Sequence, residues 1–521
     1  MVFFAITPFW VVFLMLITCR PHAAFRQFLR ERLPALALFD PARLLFLSPA
    51  LAKVWLLDLD PAIPFLLSRY SSWGRPCEFD PVDLLRSLFL MTHLKVFSIS
   101  KWVHLLRHDK VLATLCGFEP GKTPSVGLFY AFQDRFWLEN PAMIRLRRKA
   151  LRPAKGKPKG KVRTGQKLAP KHPGVVKRLV DRALKGRSFP RRPERLIQAI
   201  FARCCVDQSV ALGLIPHPGA LVLAGDGSPL RTGTSPAGVK VCHCREQGIY
   251  RCSCPRHYPD PDATWGWDSY REVYYYGYSL YELTAADSPY ELPVFISLAQ
   301  ACRHDAVLGV VALAQFKELF PHLGVAKAVW DAAHDAYDFY RLHYAWQIQP
   351  FIDLNDRAAG RRQHPAPVEV NEYGVPRCPA GHLMVYYGFD QDRFRLKWRC
   401  PMVAASRRAK KELSCPAPCS PSPYGRTVYT KPRDDPRLFT PTPRNSRAWK
   451  KTYALRSAAE RSFKRAKVDY ELERCRVRSK RAWFWRSHLV GMNQHLDAWV
   501  DDAQQNGFDV WAEALGHPLA A

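Results

Sequence analysis

The chain has 521 residues, more than one hydrophobic core ordinarily serves, so two to four domains are expected, and a lone small module is excluded. Its 77 Lys and Arg against 46 Asp and Glu leave a formal charge of +31, an excess that solubility does not require and that points to a polyanionic partner. A content of 48% hydrophobic and 12% aromatic residues excludes a wholly disordered basic protein.

Residues 1–20 form an apolar segment with no charge before Arg20. It is nearly long enough to span a bilayer but lacks the basic leader of a signal peptide. A membrane anchor, a buried helix and an over-long start site are the competing readings; membrane association is not expected, and the chain is read as cytoplasmic. Residues 21–144 read as a helical domain, with apolar residues at three- and four-residue spacing from Phe79 to Leu115 and from Val126 to Trp137. Thr123 or Ser125 is the expected cap of the second stretch. Residues 145–195 form a basic linker whose 20 Lys and Arg face only Asp181 and Glu194, so they carry +18 of the +31. Around Lys155, Lys157, Lys159 and Lys161 the linker is broken by Gly and Pro and almost free of apolar residues; contact with a phosphate backbone needs only that charge.

From 196 to 355 a helix, Glu194–Leu212, precedes an α/β pattern. Leu221–Asp226, Arg271–Leu283 and Leu292–Ala301 read as strands, then Asp305–Phe320 as helix, Val325–Trp330 as strand, Asp335–Trp346 as helix and Ile348–Leu354 as strand. Three strands followed by α-β-α-β imply a mixed five-stranded sheet flanked by helices. Residues 356–445 hold 13 prolines and no sustained period, and read as an insertion. Helical pattern resumes in 446–521, through about Tyr470 and again from Arg481 to near Ala512.

The fifteen cysteines are too sparse for a disulfide scaffold. Cys242, Cys244, Cys252 and Cys254 lie within 13 residues, enough for a structural zinc site, although C-x-C bites more tightly than the usual C-x2-C. Cys378, Cys400, Cys415 and Cys419, with His382 nearby, are a looser candidate for zinc in an insertion that otherwise lacks a core. Free cysteines in irregular loops are the alternative for both sets.

In the resumed helix, Tyr453, Arg456, Glu460 and Lys467 fall within about a 60° arc at the ideal helical angle, beside an apolar stripe of Leu455, Ala459, Phe463 and Ala466. An ordinary salt-bridged surface helix would share that pattern. What tells against it is Asp226, closing the first strand, and Asp331, following the fourth: adjacent strands would set the two carboxylates side by side, which makes physical sense around a divalent metal. Asp335 reads as the cap of the next helix, Asp353 and Asp268 as weaker candidates, and His334 as a solvated loop histidine or a support for the ligands. The run Arg474–Arg486 with Trp483, Phe484 and Trp485 fits either DNA stacking or core packing.

The spacing Tyr453-x2-Arg456-x3-Glu460-x6-Lys467, with Gly225-Asp226-Gly227 and Asp331-Ala-Ala-His-Asp335, resembles the bacterial insertion-sequence DDE transposases of the Y-R-E-K signature, over roughly residues 218–500. The resemblance implies an RNase H-like catalytic domain interrupted by the insertion, and a helical N-terminal domain that binds DNA ends. It implies that Asp226, Asp331 and Glu460 hold two Mg²⁺ (or Mn²⁺) ions, which make water or a 3′-hydroxyl nucleophilic and stabilise the leaving oxygen at phosphorus. Tyr453, Arg456 and Lys467 would grip phosphates near the cleaved end. The expected activity is cut-and-paste transposition: cleavage at inverted-repeat ends and strand transfer into target duplex DNA, by a homodimer on DNA in the nucleoid. A catalytically silent, domesticated DNA-binding protein is the alternative.

Overall fold

A computed structural model describes residues 19–71, 77–138, 146–147, 172–189, 193–254, 256–355, 368–416, 418–474 and 477–517. Most of the apolar N-terminal segment, and Lys155, Lys157, Lys159 and Lys161 of the basic linker, lie outside the described residues. The chain divides into two compact units: residues 1–139, 192–208 and 488–521 in one, and 140–191 and 209–487 in the other.

The first unit is helical because its apolar runs carry capping residues at their starts. Asp80, Ser98, Asp109 and Ser125 each accept a backbone N–H at the head of the helices Pro81–His93, Ile99–His108, Lys110–Cys116 and Val126–Arg135. Gly117, at φ 96°, ends the third in the left-handed conformation that glycine alone adopts freely. Leu29, Leu33, Trp55, Leu85, Leu88 and Trp102 are buried in its core. Within that core Arg86 lies over the Phe25 ring and pairs with Asp83, whose carboxyl is raised to about 6 by burial against the pull of Arg86 and Arg20. Among the described residues, no helix is long and apolar enough to cross a membrane.

The second unit is built on a mixed sheet. Its strands are β1 (Leu221–Arg231), β2 (Thr264–Asp268), β3 (Val273–Ala285), β4 (Pro293–Gln300), β5 (Val325–Trp330) and β6 (Gln349–Ile352). β3 pairs antiparallel with β1 from Leu223↔Ala285 to Arg231↔Gly277, and its other edge pairs antiparallel with both β4 and β2. β5 runs parallel to β1, and β6 parallel to β5. The expected five strands are therefore joined by a sixth, Thr264–Asp268, which is too short and too rich in exposed aromatics to read as a buried strand.

Side-chain alternation sorts the two faces of the sheet. Trp330 reaches the helix Tyr337–Ala345 through a hydrogen bond from its Nε1 to His343. Gly225 lies under this ring; a Cβ there would come within 1.9 Å of it. On the other face, Trp449 of the helix Arg447–Tyr453 packs on Val329 and Phe351. Ala458 and Ala459 of the helix Ser457–Lys464 pack on Ala224 and Ala286, the small side chains allowing helix and sheet to approach closely.

Residues 368–446 correct the sequence reading of a coreless insertion. Three short antiparallel strands, β7 (Val385–Asp390), β8 (Arg395–Arg399) and β9 (Thr427–Thr430), enclose Val375, Cys378, Met384, Leu396, Trp398 and Phe439. Strands of four to six residues between prolines give no sustained period to find. Arg437 ties this subdomain to the sheet through a buried pair with Asp335, and Arg444 through a bond to the Ile352 carbonyl. Trp483, Phe484 and Trp485 are buried, so packing rather than stacking on a nucleic acid occupies them.

Candidate active site

The parallel pairing of β1 with β5 stops at Gly225↔Trp330, so Asp226 and Asp331 follow directly on two adjacent strands. Asp226 does not close its strand, as expected; β1 continues to Arg231 along its antiparallel edge with β3. What ends at Asp226 is the parallel neighbour. By alternation Asp226 shares the face of Ala224, the face covered by Ser457–Lys464, and its cross-strand partner there is Glu282.

Asp331 is oriented by a relay. Its Oδ1 accepts from the Ala333 backbone N–H at 3.2 Å and from His334 Nδ1 at 2.6 Å. With the ring proton on Nδ1, Nε2 accepts from the Tyr281 hydroxyl of β3 at 2.7 Å. Of the two readings its position allowed, His334 is thus the support for Asp331 and not a solvated loop histidine: it is fully buried and packs against Trp330 and Phe339. Asp335 is not a helix cap either. The first turn of Tyr337–Ala345 carries no side-chain cap, and Asp335 instead accepts from Arg437, from Tyr340 Oη at 3.2 Å and from the Asn355 N–H at 2.9 Å.

The two carboxylates titrate apart. Burial, and then the charge of Asp331, push Asp226 up to about 7. Burial also works to raise Asp331, but the hydrogen bond and charge of His334, the Ala333 N–H and the charge of Arg456 outweigh it and hold Asp331 below the usual carboxylate range. Two further acids stand close and were missed from sequence. Asp305, raised chiefly by burial, opens the helix Asp305–Leu319 beside Gly227, where an added Cβ would meet its Oδ1 at 2.5 Å. Glu282 is raised to about 7 by burial, opposed by hydrogen bonds from Ser462 and Thr284.

Tyr453, Arg456, Glu460 and Lys467 do not ride one regular helix. The chain passes from α-helix (Arg447–Tyr453) through a 3₁₀ turn (Ala454–Arg456) and α-helix (Ser457–Lys464) to a π turn (Arg465–Asp469). Arg456 donates to Glu460 Oε1 at 2.5 Å; burial works to lower its guanidinium, but that hydrogen bond and the charges of Glu460, Tyr453 and Asp226 outweigh it and raise it, and its own charge helps to lower Asp331. Tyr453 stacks on Trp449 at 4.4 Å; burial first, then Asp353, raises its phenol to about 12. Lys467, displaced by the π turn, pairs with Glu473 at 2.7 Å. It borders a cleft of about 430 Å³ lined also by Gly227, Trp267, Tyr270, Arg271 and Asp305. Asp268 caps the turn at Tyr270 and Arg271.

The donor set around Asp226, Asp331 and Glu460 is all oxygen, the chemistry of a hard divalent ion, and Asp226 is raised first by burial and then by the neighbouring charge of Asp331. Glu460 is turned to Arg456, and these oxygens are not drawn around one point. Among the described residues, one group of metal-ligating side chains has its ligand atoms all within 4.8 Å of one another: Cys242, Cys244, Cys252 and Cys254. Those thiols could hold a metal such as zinc. Cys378 and Cys400 are buried, Cys378 in the core of the 368–446 subdomain. His382 hydrogen-bonds the Ser414 carbonyl.

No protein-family model matches this chain, and no curated protein matches it. What the site can do must come from its own chemistry.

Proposed function

We propose that the chain is a DDE-type DNA transposase that cleaves at transposon inverted-repeat ends and transfers the freed strand into target duplex DNA. The observation that carries this reading is the juxtaposition of Asp226 and Asp331 on two interior strands, where the parallel pairing of β1 and β5 stops, on the sheet face covered by the helix of Glu460. The strand order β4-β3-β1-β5-β6, three antiparallel then two parallel, supports an RNase H-like arrangement.

Asp226, Asp331 and Glu460 would hold Mg²⁺, which supplies an activated nucleophile and a stabilised leaving oxygen for in-line displacement at phosphorus. The remaining chemistry belongs to the chain. The Tyr281–His334 relay keeps one Asp331 lone pair engaged and fixes the carboxylate's rotation. Arg456, freed from Glu460, offers a planar fork to a phosphate, and Lys467 a point charge at the cleft beside Gly227. Duplex DNA is the partner this requires, with the linker cations contributing sequence-independent attraction, the helical unit reading the ends, and a homodimer bringing two ends together.

The test is incubation of the chain with a duplex carrying the element's ends: Mg²⁺-dependent nicking that leaves a 3′-hydroxyl at the terminus supports the reading. The Arg456–Glu460 pairing is what a catalytically silent DNA-binding descendant would also show. Such a protein would bind the same duplex without divalent ions and leave it uncut in Mg²⁺ or Mn²⁺.

A further inference from the structure

The loop between β1 and β2 has no apolar core of its own, yet it is ordered as a ribbon. Val239 and Lys240 pair antiparallel with Arg256 and His257, and Leu146–Arg147 pairs on the other edge of Arg256–His257. Val239, Val241, Ile249 and Tyr250 are 62%, 51%, 49% and 69% exposed, so burial of apolar surface does not hold the tip. A two-residue pairing is far below what holds a hairpin in water. What the tip contains is four thiols. Cys242 Sγ stands 3.5 Å from Cys252 Sγ, Cys244 Sγ 3.5 Å from Cys254 Sγ, and all four lie within 4.8 Å of one another.

These separations are not those of two disulfides, whose sulfurs sit at about 2.05 Å. Four thiolates around a tetrahedral zinc, each at about 2.3 Å from the metal, stand about 3.8 Å apart. The turn between the pairs is set for this: Ile249 N–H donates to the Cys244 carbonyl at 2.8 Å, and Gly248 takes a φ of 74°. His243, between the first two cysteines, is occupied by Glu246 at 3.2 Å, so the donor set is sulfur alone. Zn²⁺ with four thiolates carries two net negative charges, and the ribbon supplies Lys240, Arg245, Arg251 and Arg256 to balance them.

We propose that Cys242, Cys244, Cys252 and Cys254 bind one structural Zn²⁺ that folds the ribbon 239–257 and holds Leu146–Arg147, at the root of the cation-rich linker, as its third strand. The site is closed by four protein ligands and takes no part in phosphoryl transfer. Binding replaces the remaining thiol protons, which are released to solvent as the four Zn–S bonds form. Because thiolate and carboxylate sites select different ions, Mg²⁺ does not displace this metal.

The full chain, purified under reducing conditions without added metal, is expected to contain about one zinc per molecule, and its Co²⁺-substituted form to show the sulfur-to-metal charge transfer and strong visible bands of tetrahedral thiolate coordination. Cys244→Ser with Cys254→Ser is expected to lower zinc at least fivefold, whereas Cys302→Ser, an exposed thiol outside the ribbon, leaves it unchanged. Stripping the wild-type chain with a strong chelator is expected to speed tryptic cleavage after Arg245 and Arg251 at least tenfold, reversed by Zn²⁺. Zinc below about 0.2 per chain with no cobalt–thiolate spectrum, or mapped Cys242–Cys252 and Cys244–Cys254 disulfides in the purified chain, would overturn the proposal. Neither result bears on DNA cleavage, so this proposal and the transposase reading fail separately.

Discussion

Asp226 has a carboxyl that burial raises well above its ordinary range. Its folded-state value, about 7, lies above the ordinary carboxylate value, so folding of the metal-free chain takes up a proton between the two. The contribution of this group is therefore most favourable below about pH 4 and is lost as pH rises through about 7. Asp226→Asn removes the ionisation. It is expected to stabilise the metal-free chain by about 2 kcal/mol at pH 8, allowing for water at the half-buried site, and by much less at pH 5; chemical denaturation at the two pH values checks this. An equal gain at both would remove the electrostatic account. His334 makes a second residue-scale prediction. His334→Ala leaves Asp331 without its 2.6 Å donor and Tyr281 with no acceptor in the buried site. It is expected to lower the cleavage rate about 10- to 100-fold with little change in DNA affinity, measured by single-turnover nicking and by gel shift.

Asp226 and Asp331 could be read from the sequence because each follows a short apolar run of strand character. Glu282 and Asp305 could not, and for His334 the sequence offered two readings, of which the bond to Asp331 selects the support for a ligand. The hydrogen-bond partner of Glu282 is Ser462, 180 residues away, and nothing local to a glutamate in a strand announces a helix docked on it.

At the scale of elements, the sheet and its helices followed from periodicity, whereas breaks in periodicity were invisible. Tyr453 to Lys467 keeps a helical apolar stripe whether or not the backbone tightens to 3₁₀ at Ala454–Arg456 and loosens to a π turn at Arg465–Asp469. Only the contacts separate Arg456, which holds Glu460, from Lys467, which faces Pro229 and Glu473. The 368–446 subdomain was missed for the opposite reason, since its core residues come from strands too short to show alternation. Glycine placement, in contrast, follows from one contact. Gly225 has Trp330 at 1.9 Å from where a Cβ would stand, in a strand paired on both sides, so neither backbone nor ring can yield cheaply. Gly225→Ala is expected to cost about 2–4 kcal/mol in urea unfolding. A loss under about 0.5 kcal/mol would mean that the packing of β1 on β5 is looser than described.

For the whole molecule, charge and chemistry lie in different parts of the chain. The +18 of residues 145–195 is more than half of the total, while the carboxylates lie on the sheet. In the proposed function the linker cations raise affinity without reading sequence. Replacing Lys155, Lys157, Lys159 and Lys161 by Ala is then expected to weaken binding to specific and random duplex alike, and to reduce the slope of log affinity against log salt by about 3. A loss confined to the specific duplex would assign those lysines to base recognition instead.

In the proposed function Asp226, Asp331 and Glu460 act together as a divalent-metal site for phosphoryl transfer. Its most direct test is single-turnover cleavage of an end-containing duplex in Mg²⁺ by the wild-type chain and by Asp226→Asn, Asp331→Asn and Glu460→Gln, at DNA concentrations where all four are saturated. Cleavage by the wild type and a loss of at least about 10³-fold in each variant, with binding retained, is the expected result; undiminished cleavage by any one of the three variants would remove that residue from the metal site.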